Sequence, residues 1–96
     1  MMKIKTLESV DAAIRTLSPD ERQIVSTWFN NLKNWENDES TRKVSKPTAD
    51  PEVRVLNTAD DIRIFFTIDP EVKEITVLDI AKPSRLKTIE MKTIAE

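Results

Sequence analysis

Apolar residues alternate along Ile62, Ile64, Phe66 and Ile68, the period of two expected of a strand with one buried face. Arg63, Phe65 and Thr67 then point to the opposite face. On either side, residues 52–57 and 74–81 read as two further strands, with 61–68 between them. Thr58, Ala59 and Asp60 make the first connection and Asp69, Pro70 and Glu71 the second, using Asp and Pro turn chemistry without glycine. Loops this short join strands economically only as antiparallel hairpins.

Upstream of this meander the period lengthens. Val10, Ala13, Ile14 and Leu17 follow the helical i, i+3, i+4, i+7 pattern, with Ser9 placed to cap them. A second helix starts at Ser18: Pro19 takes the first helical position and Glu21 closes a capping box. Ile24, Trp28, Leu32 and Trp35 continue it at intervals of four and three, a face bound for the core. Residues 2–6 alternate and predict a short opening strand, while residues 37–50 are polar and proline-bearing and read as a loop. The expected architecture is α+β in the order β-α-α-β-β-β, an antiparallel sheet with an N-terminal helical pair packed on one face. Residues 1–96 form one domain, in which 82–96 is a charged tail.

Composition narrows the chemistry. The chain has 96 residues, a formal charge of −2 and no Cys, His, Tyr or Gly. The slightly acidic balance gives no global electrostatic reason to bind nucleic acid, so such contact needs a local basic patch. Without Cys and His, the common zinc sites, disulfides and every Ser-His or Cys-His nucleophile are excluded. Without Gly, the phosphate-cradling P-loop and dinucleotide motifs are excluded too. What remains is Arg, Lys, Asp, Glu, Ser and Thr, a set suited to recognising phosphate or carboxylate through cations. The chain shows neither a long apolar run nor a signal peptide, so it reads as a cytoplasmic protein that does not enter a membrane.

Several residues carry both a functional and an ordinary reading. Arg63 is either a ligand-binding cation or one half of a cross-strand ion pair with Asp61 or Asp79. Lys82, Arg85 and Lys87 meet no acid until Glu90 and are either an RNA contact or a solvated terminus. Phe65 points outward, with Leu56 and Val77 as expected neighbours, and an outer apolar patch of that kind marks a partner surface. Trp28 and Trp35 are most simply core residues.

The order of elements, the meander VRVLN–RIFF–ITVLDIAK and the segment SPDERQIVSTWFNNLKNW resemble the RelE/ParE superfamily of bacterial toxins from toxin–antitoxin pairs. The resemblance spans about residues 9–85. It implies a toxin of the RelE type, a ribosome-dependent messenger endonuclease that needs no metal or cofactor and is neutralised by a cognate antitoxin. By the same resemblance Arg63 matches the arginine opening the central strand and is the transition-state clamp. Arg54, Arg85 and Lys82 are its supporting cations, and Lys82, Arg85 and Lys87 are RNA contacts. The ribosome with its messenger and the antitoxin are the implied partners, the latter covering Leu56, Phe65 and Val77 or pairing with a sheet edge. The sequence departs from the family at Leu56, where a second basic residue is usual, at Pro83, where an arginine is usual, and in lacking any Tyr or His. The same scaffold therefore also admits a non-catalytic protein, either a gyrase-inhibiting toxin or a degenerate one that only binds an antitoxin.

Overall fold

The computed structural model describes residues 1–58 and 61–82. Its elements run β1 (Lys3–Thr6), α1 (Glu8–Arg15), α2 (Pro19–Lys33), α3 (Glu39–Val44), β2 (Ser45–Pro47), β3 (Arg54–Asn57), β4 (Arg63–Asp69) and β5 (Glu74–Ala81). The five strands form one sheet in the order β1-β5-β4-β3-β2. Strands β2 to β5 are antiparallel neighbours, as the short loops require, and β1 joins β5 in parallel. The sheet is therefore mixed rather than wholly antiparallel. The parallel pair becomes possible because α1 and α2 lie between β1 and the meander and carry the crossover.

The inner sheet face and the helices share one core. Ile62, Ile64 and Phe66 enter it from the β4 strand and its approach, Leu56 from β3, and Ile75, Val77 and Ile80 from β5. Val10, Val25 and Leu32 meet them from the helices and Leu17 from the turn between α1 and α2, with Ile24, Trp28, Phe29 and Trp35 half-buried around the rim. The capping box forms as the sequence predicts: the Glu21 N–H donates to Ser18 Oγ at 3.2 Å and the Ser18 N–H to Glu21 Oε1 at 2.9 Å. Ser9 does not cap α1. The cap position is Leu7, which offers no side-chain acceptor.

Residues 37–50 hold more order than a loop. Asp38 caps α3, accepting the Thr41 N–H at 3.1 Å, and the chain then enters β2 at the sheet edge. Pro47 ends that strand, a position where an edge tolerates a residue with no N–H to give.

A bulge in the β4–β5 ladder decides which residues of β5 face inward. Phe65 pairs with Asp79 but Phe66 pairs with Val77, leaving Leu78 without an opposite number. Strict alternation from Val77 would send Asp79 into the core; the extra residue turns Asp79 outward and brings Ile80 in.

Candidate functional site

Arg63 opens β4, opposite Asn57 of β3 and Ala81 of β5. Its neighbours Ile62 and Ile64 are buried, so alternation alone sends its guanidinium to the exposed outer face. The preceding turn is fixed by its own backbone. The Thr58 N–H donates to Ile62 O at 3.0 Å and the Asp61 N–H to Thr58 O at 3.2 Å. The Ile62 N–H donates to the Oγ1 of buried Thr58 at 3.2 Å. Asp61 holds φ at 62°, a left-handed conformation that aspartate tolerates better than most residues. The start of β4, and with it the root of Arg63, is thus set by a buried threonine. Among the described residues no hydrogen bond or ion pair engages the Arg63 guanidinium. Asp79, one of its expected partners, turns its Oδ1 to the Ile80 N–H at 2.8 Å.

Arg54 lies on the other face. It pairs in register with Phe66, so its side chain leaves β3 on the core side, and there it lies over the Trp35 ring at 5.6 Å. Its Nε and Nη2 donate to Ser45 Oγ at 3.2 and 3.1 Å, and Nη2 also reaches Ser45 O at 3.4 Å. Trp35 in turn meets Phe66 edge-on, with ring centroids 5.7 Å apart. Arg54 therefore clamps β2 and the end of the helical layer to β3, and does not stand beside Arg63.

Lys82 follows β5 and pairs with Glu21, the residue that closes the α2 capping box. The two side chains are only 20% and 18% exposed, so this lysine ties the end of the sheet to the start of α2. Arg85 and Lys87 lie outside the described residues.

The expected outer patch does not form. Leu56 pairs with Ile64 and Val77 with Phe66, and both are fully buried core residues. For Leu56 the cause is register, since Asn57 is the residue set opposite Arg63. For Val77 it is the bulge, which breaks the alternation counted back from Asp79. Phe65 alone remains on the outer face, half-buried between Val55 and Asp79.

One concavity of about 590 Å³ opens where β4 turns into β5. Glu52, Asp69, Glu71 and Glu74 line it together with Arg54, Thr67 and Thr76. It sits at the far end of β4 from Arg63, about 20 Å along the strand at 3.3 Å per residue, and its acids repel phosphate. Sequence reading missed this acidic end, and it missed the Lys82–Glu21 and Arg54–Trp35 pairings. Each joins residues far apart in the chain, so no local pattern announces it.

The described site is thus one exposed arginine on a stiff strand start, with Arg54 and Lys82 committed to packing. An isolated guanidinium of this kind offers a planar fork of donors to a phosphate or a carboxylate. Among the described residues no helix is long and apolar enough to cross a membrane.

No protein-family model and no curated protein matches the sequence. Solved structures do. The isolated RelE toxin of E. coli superposes with a TM-score of 0.70 at 14% identity, covering 98% of this chain and 99% of that one. The toxin–antitoxin complex RelBE2 from Mycobacterium tuberculosis gives 0.69 at 15% identity, covering 84% and 96%. The archaeal RelE–RelB complex from Pyrococcus horikoshii gives 0.54 at 13% identity, covering 84% and 93%. At such identities the likeness speaks for the backbone, and on that ground the chain has the RelE toxin fold.

Proposed function

We propose that this chain is the toxin of a toxin–antitoxin pair, acting in the cytoplasm as a RelE-like ribosome-dependent messenger endonuclease that represses translation. The observation that carries the reading is Arg63: an exposed cation on a fixed strand start, engaged by no described residue, on a fold whose neighbours are RelE toxins. Its fork would grip the non-bridging oxygens of the scissile phosphate while the adjacent 2′-hydroxyl, losing its proton to water, attacks phosphorus; it would hold the charge that builds on the phosphorane until the P–O5′ bond breaks and the 5′-oxygen leaves with a proton from water, giving a 2′,3′-cyclic phosphate and a 5′-hydroxyl. Removing a donor of this type costs about 10² to 10³ in rate. The chain contains no His, Cys or Tyr, so its contribution is charge and positioning rather than a near-neutral proton carrier. Arg85 and Lys87 stand four and six positions beyond Ala81, which faces Arg63 across the ladder, and are proposed as RNA contacts. Arg54 and Lys82 enter as framework residues. A RelB-type antitoxin is the proposed regulator, as several of the neighbouring structures are complexes with RelB.

The test is expression from a tight inducible promoter, following growth together with primer extension on a translated messenger. Arrest with ribosome-dependent cuts, abolished by Arg63→Ala and relieved by the antitoxin, is the expected result. Toxicity that survives Arg63→Ala would sink the ribonuclease reading. A second reading is favoured by the engagement of Arg54 and Lys82 in packing and the lack of a proton carrier. On it, the chain is a non-catalytic protein of the same fold, inhibiting gyrase or only binding an antitoxin. Arrest without cuts but with a DNA-damage response selects the gyrase branch; no arrest selects the antitoxin binder.

A further inference from the structure

Most of the aromatic side chains of this protein have a place in the core. Phe66 is buried there, and Trp28, Phe29 and Trp35 pack against it. Phe65 is the exception. It lies half-buried on the outer face of the sheet, in register with Val55 on one side and Asp79 on the other. Its ring contributes nothing to the core that the helices close. Arg63 stands two residues earlier on the same strand and the same face, about 6.6 Å away along the strand. Its guanidinium is exposed and engaged by no described residue.

The bulge at Leu78 adds a third group. It turns Asp79 outward, directly opposite Phe65, where paired side chains have Cβ atoms about 4.5–5.5 Å apart. Asp79 Oδ1 accepts the Ile80 N–H at 2.8 Å, which fixes the carboxylate against its own strand. Among the described residues Oδ2 has no hydrogen bond or ion pair, and none joins Asp79 to Arg63. A guanidinium, an aromatic ring and an oriented carboxylate thus share one patch of sheet. A carboxylate repels phosphate, so Asp79 does not serve a nucleic-acid backbone. What it accepts is N–H donors, and a nucleobase edge carries them.

We propose that Arg63, Phe65 and Asp79 form a subsite for one nucleotide of single-stranded RNA, and that its base is guanine. Phe65 stacks the base, because an aromatic ring on an open sheet face offers every base a platform. Arg63 holds the neighbouring phosphate with its planar fork. Asp79 then reads the Watson–Crick edge. Guanine presents two adjacent donors there, N1–H and N2–H, and a carboxylate accepts both because Oδ1 keeps a second lone pair. Adenine and cytosine set an acceptor beside their amino group, and uracil flanks its single N–H with two carbonyls. Each of these three turns lone pairs toward the carboxylate. Phe65 therefore supplies affinity and Asp79 supplies specificity. That the strand is a messenger rests on the ribonuclease reading above; recognition of the base does not require cleavage.

The test titrates the ¹⁵N-labelled full-length chain with the 2′-O-methyl pentanucleotide UUGUU, whose blocked 2′-oxygens cannot attack. UUIUU, in which inosine lacks the guanine amino group, and UUUUU serve as controls. The expected result is saturable shifts centred on Arg63, Phe65 and Asp79, with UUGUU bound about tenfold more tightly than either control. This comparison is made on the unaltered chain and needs no variant to fold. Phe65→Leu, which keeps apolar bulk but no ring, should weaken all three strands about fivefold or more. Asp79→Asn keeps an acceptor for the Ile80 N–H; it should erase the preference for guanine without weakening UUUUU. Arg63→Ala should weaken all three alike and reduce their salt dependence. Equal affinity for the three strands, absent or unsaturable binding, or shifts that map elsewhere would overturn the proposal. So would a guanine preference that survives Asp79→Asn, or a face that responds to the antitoxin and to none of the strands. Ribosome-dependent cuts by a chain with no guanine preference would sink the subsite alone. Guanine-selective binding by a chain that cuts nothing would leave the subsite standing and sink the ribonuclease reading.

Discussion

Replacing Arg54 by alanine should destabilise the fold rather than remove a phosphate-binding group. Its guanidinium donates to Ser45 Oγ from two nitrogens, at 3.2 and 3.1 Å, and lies 5.6 Å from the Trp35 ring centroid. Hydrogen bonds from a charged donor contribute about 1.5 to 3 kcal/mol. Both contacts share one acceptor and the side chain is half-exposed, so the lower end applies once rather than twice. A cation over an aromatic ring at a partly exposed position adds about 0.5 to 1 kcal/mol. The sum is about 2 kcal/mol, equivalent to about 8–16 °C in melting temperature for a domain of this size. Urea titration followed by tryptophan fluorescence reads it directly, since Trp35 is itself the contact. The midpoint should fall with an unchanged slope. Arg54→Lys should recover only part of the loss, because an ammonium keeps charge but not the planar fork. In a double-mutant cycle with Trp35→Leu the two residues should couple by about 0.5 to 1 kcal/mol. A loss below about 0.5 kcal/mol for Arg54→Ala, the level of an ordinary surface change, would refute the clamp and return Arg54 to the pool of free cations.

Glu21 serves two structures at once, so two substitutions should separate them: Glu21→Gln keeps an acceptor for the Ser18 N–H but breaks the Lys82 pair, for about 1 kcal/mol that shrinks in high salt. Glu21→Ala should cost about 1 kcal/mol more by removing the capping box as well; equal losses in urea melts would show that only one role is real. Asp38 is held below its ordinary carboxylate range first by the Thr41 backbone N–H, then by the Thr41 side chain. Its lowered folded pKa means that the stabilisation is present above the unfolded value of about 3.9 and is lost as pH falls through the folded one. Asp38→Asn should flatten that acid limb, and an Asp38 carboxyl that titrates by NMR at or above the ordinary value would contradict the cap. Lys73 holds φ at 54° in the turn before β5; Lys73→Asn should stabilise by about 0.5 kcal/mol, since asparagine accepts this conformation more readily, and a lower urea midpoint would count against strain there.

What could be read from the sequence was whatever depends on near neighbours. The capping box at Ser18 and Glu21 is a four-residue rule, and the alternation of Ile62, Ile64 and Phe66 is a property of one strand; both recur in the structure. The three meander strands lie within two residues of their expected limits for the same reason. Leu56 and Val77 were placed on the wrong face because facing depends on register against another strand and on a bulge at Leu78. The family resemblance implies Arg54 as a supporting cation for Arg63 from the adjacent strand. They lie nine positions apart across a turn whose register sends one to each face of the sheet. Helix α3 and strand β2 span six and three residues, too short for either period to show. Of the candidate site, Arg63 was legible because its flanking isoleucines are; the partners of Arg54 and Lys82 were not, because tertiary packing chooses them.

The parallel pairing of β1 with β5 also has a consequence in time. Lys3 sits opposite Glu74, 71 positions later in the chain (74 − 3). At about 5 to 20 residues per second of synthesis, the first strand waits roughly 4 to 14 seconds for its neighbour to be made. During that interval Ile4 has no sheet to join, and the inner face that α1 and α2 will cover is still unbuilt. The sheet closes only when nearly all of β5 is available, so a nascent chain halted before that point cannot present Arg63 on a finished scaffold. The scaffold that holds Arg63 thereby acquires a delay written into strand order, set by how late in the chain the partner of the first strand is encoded.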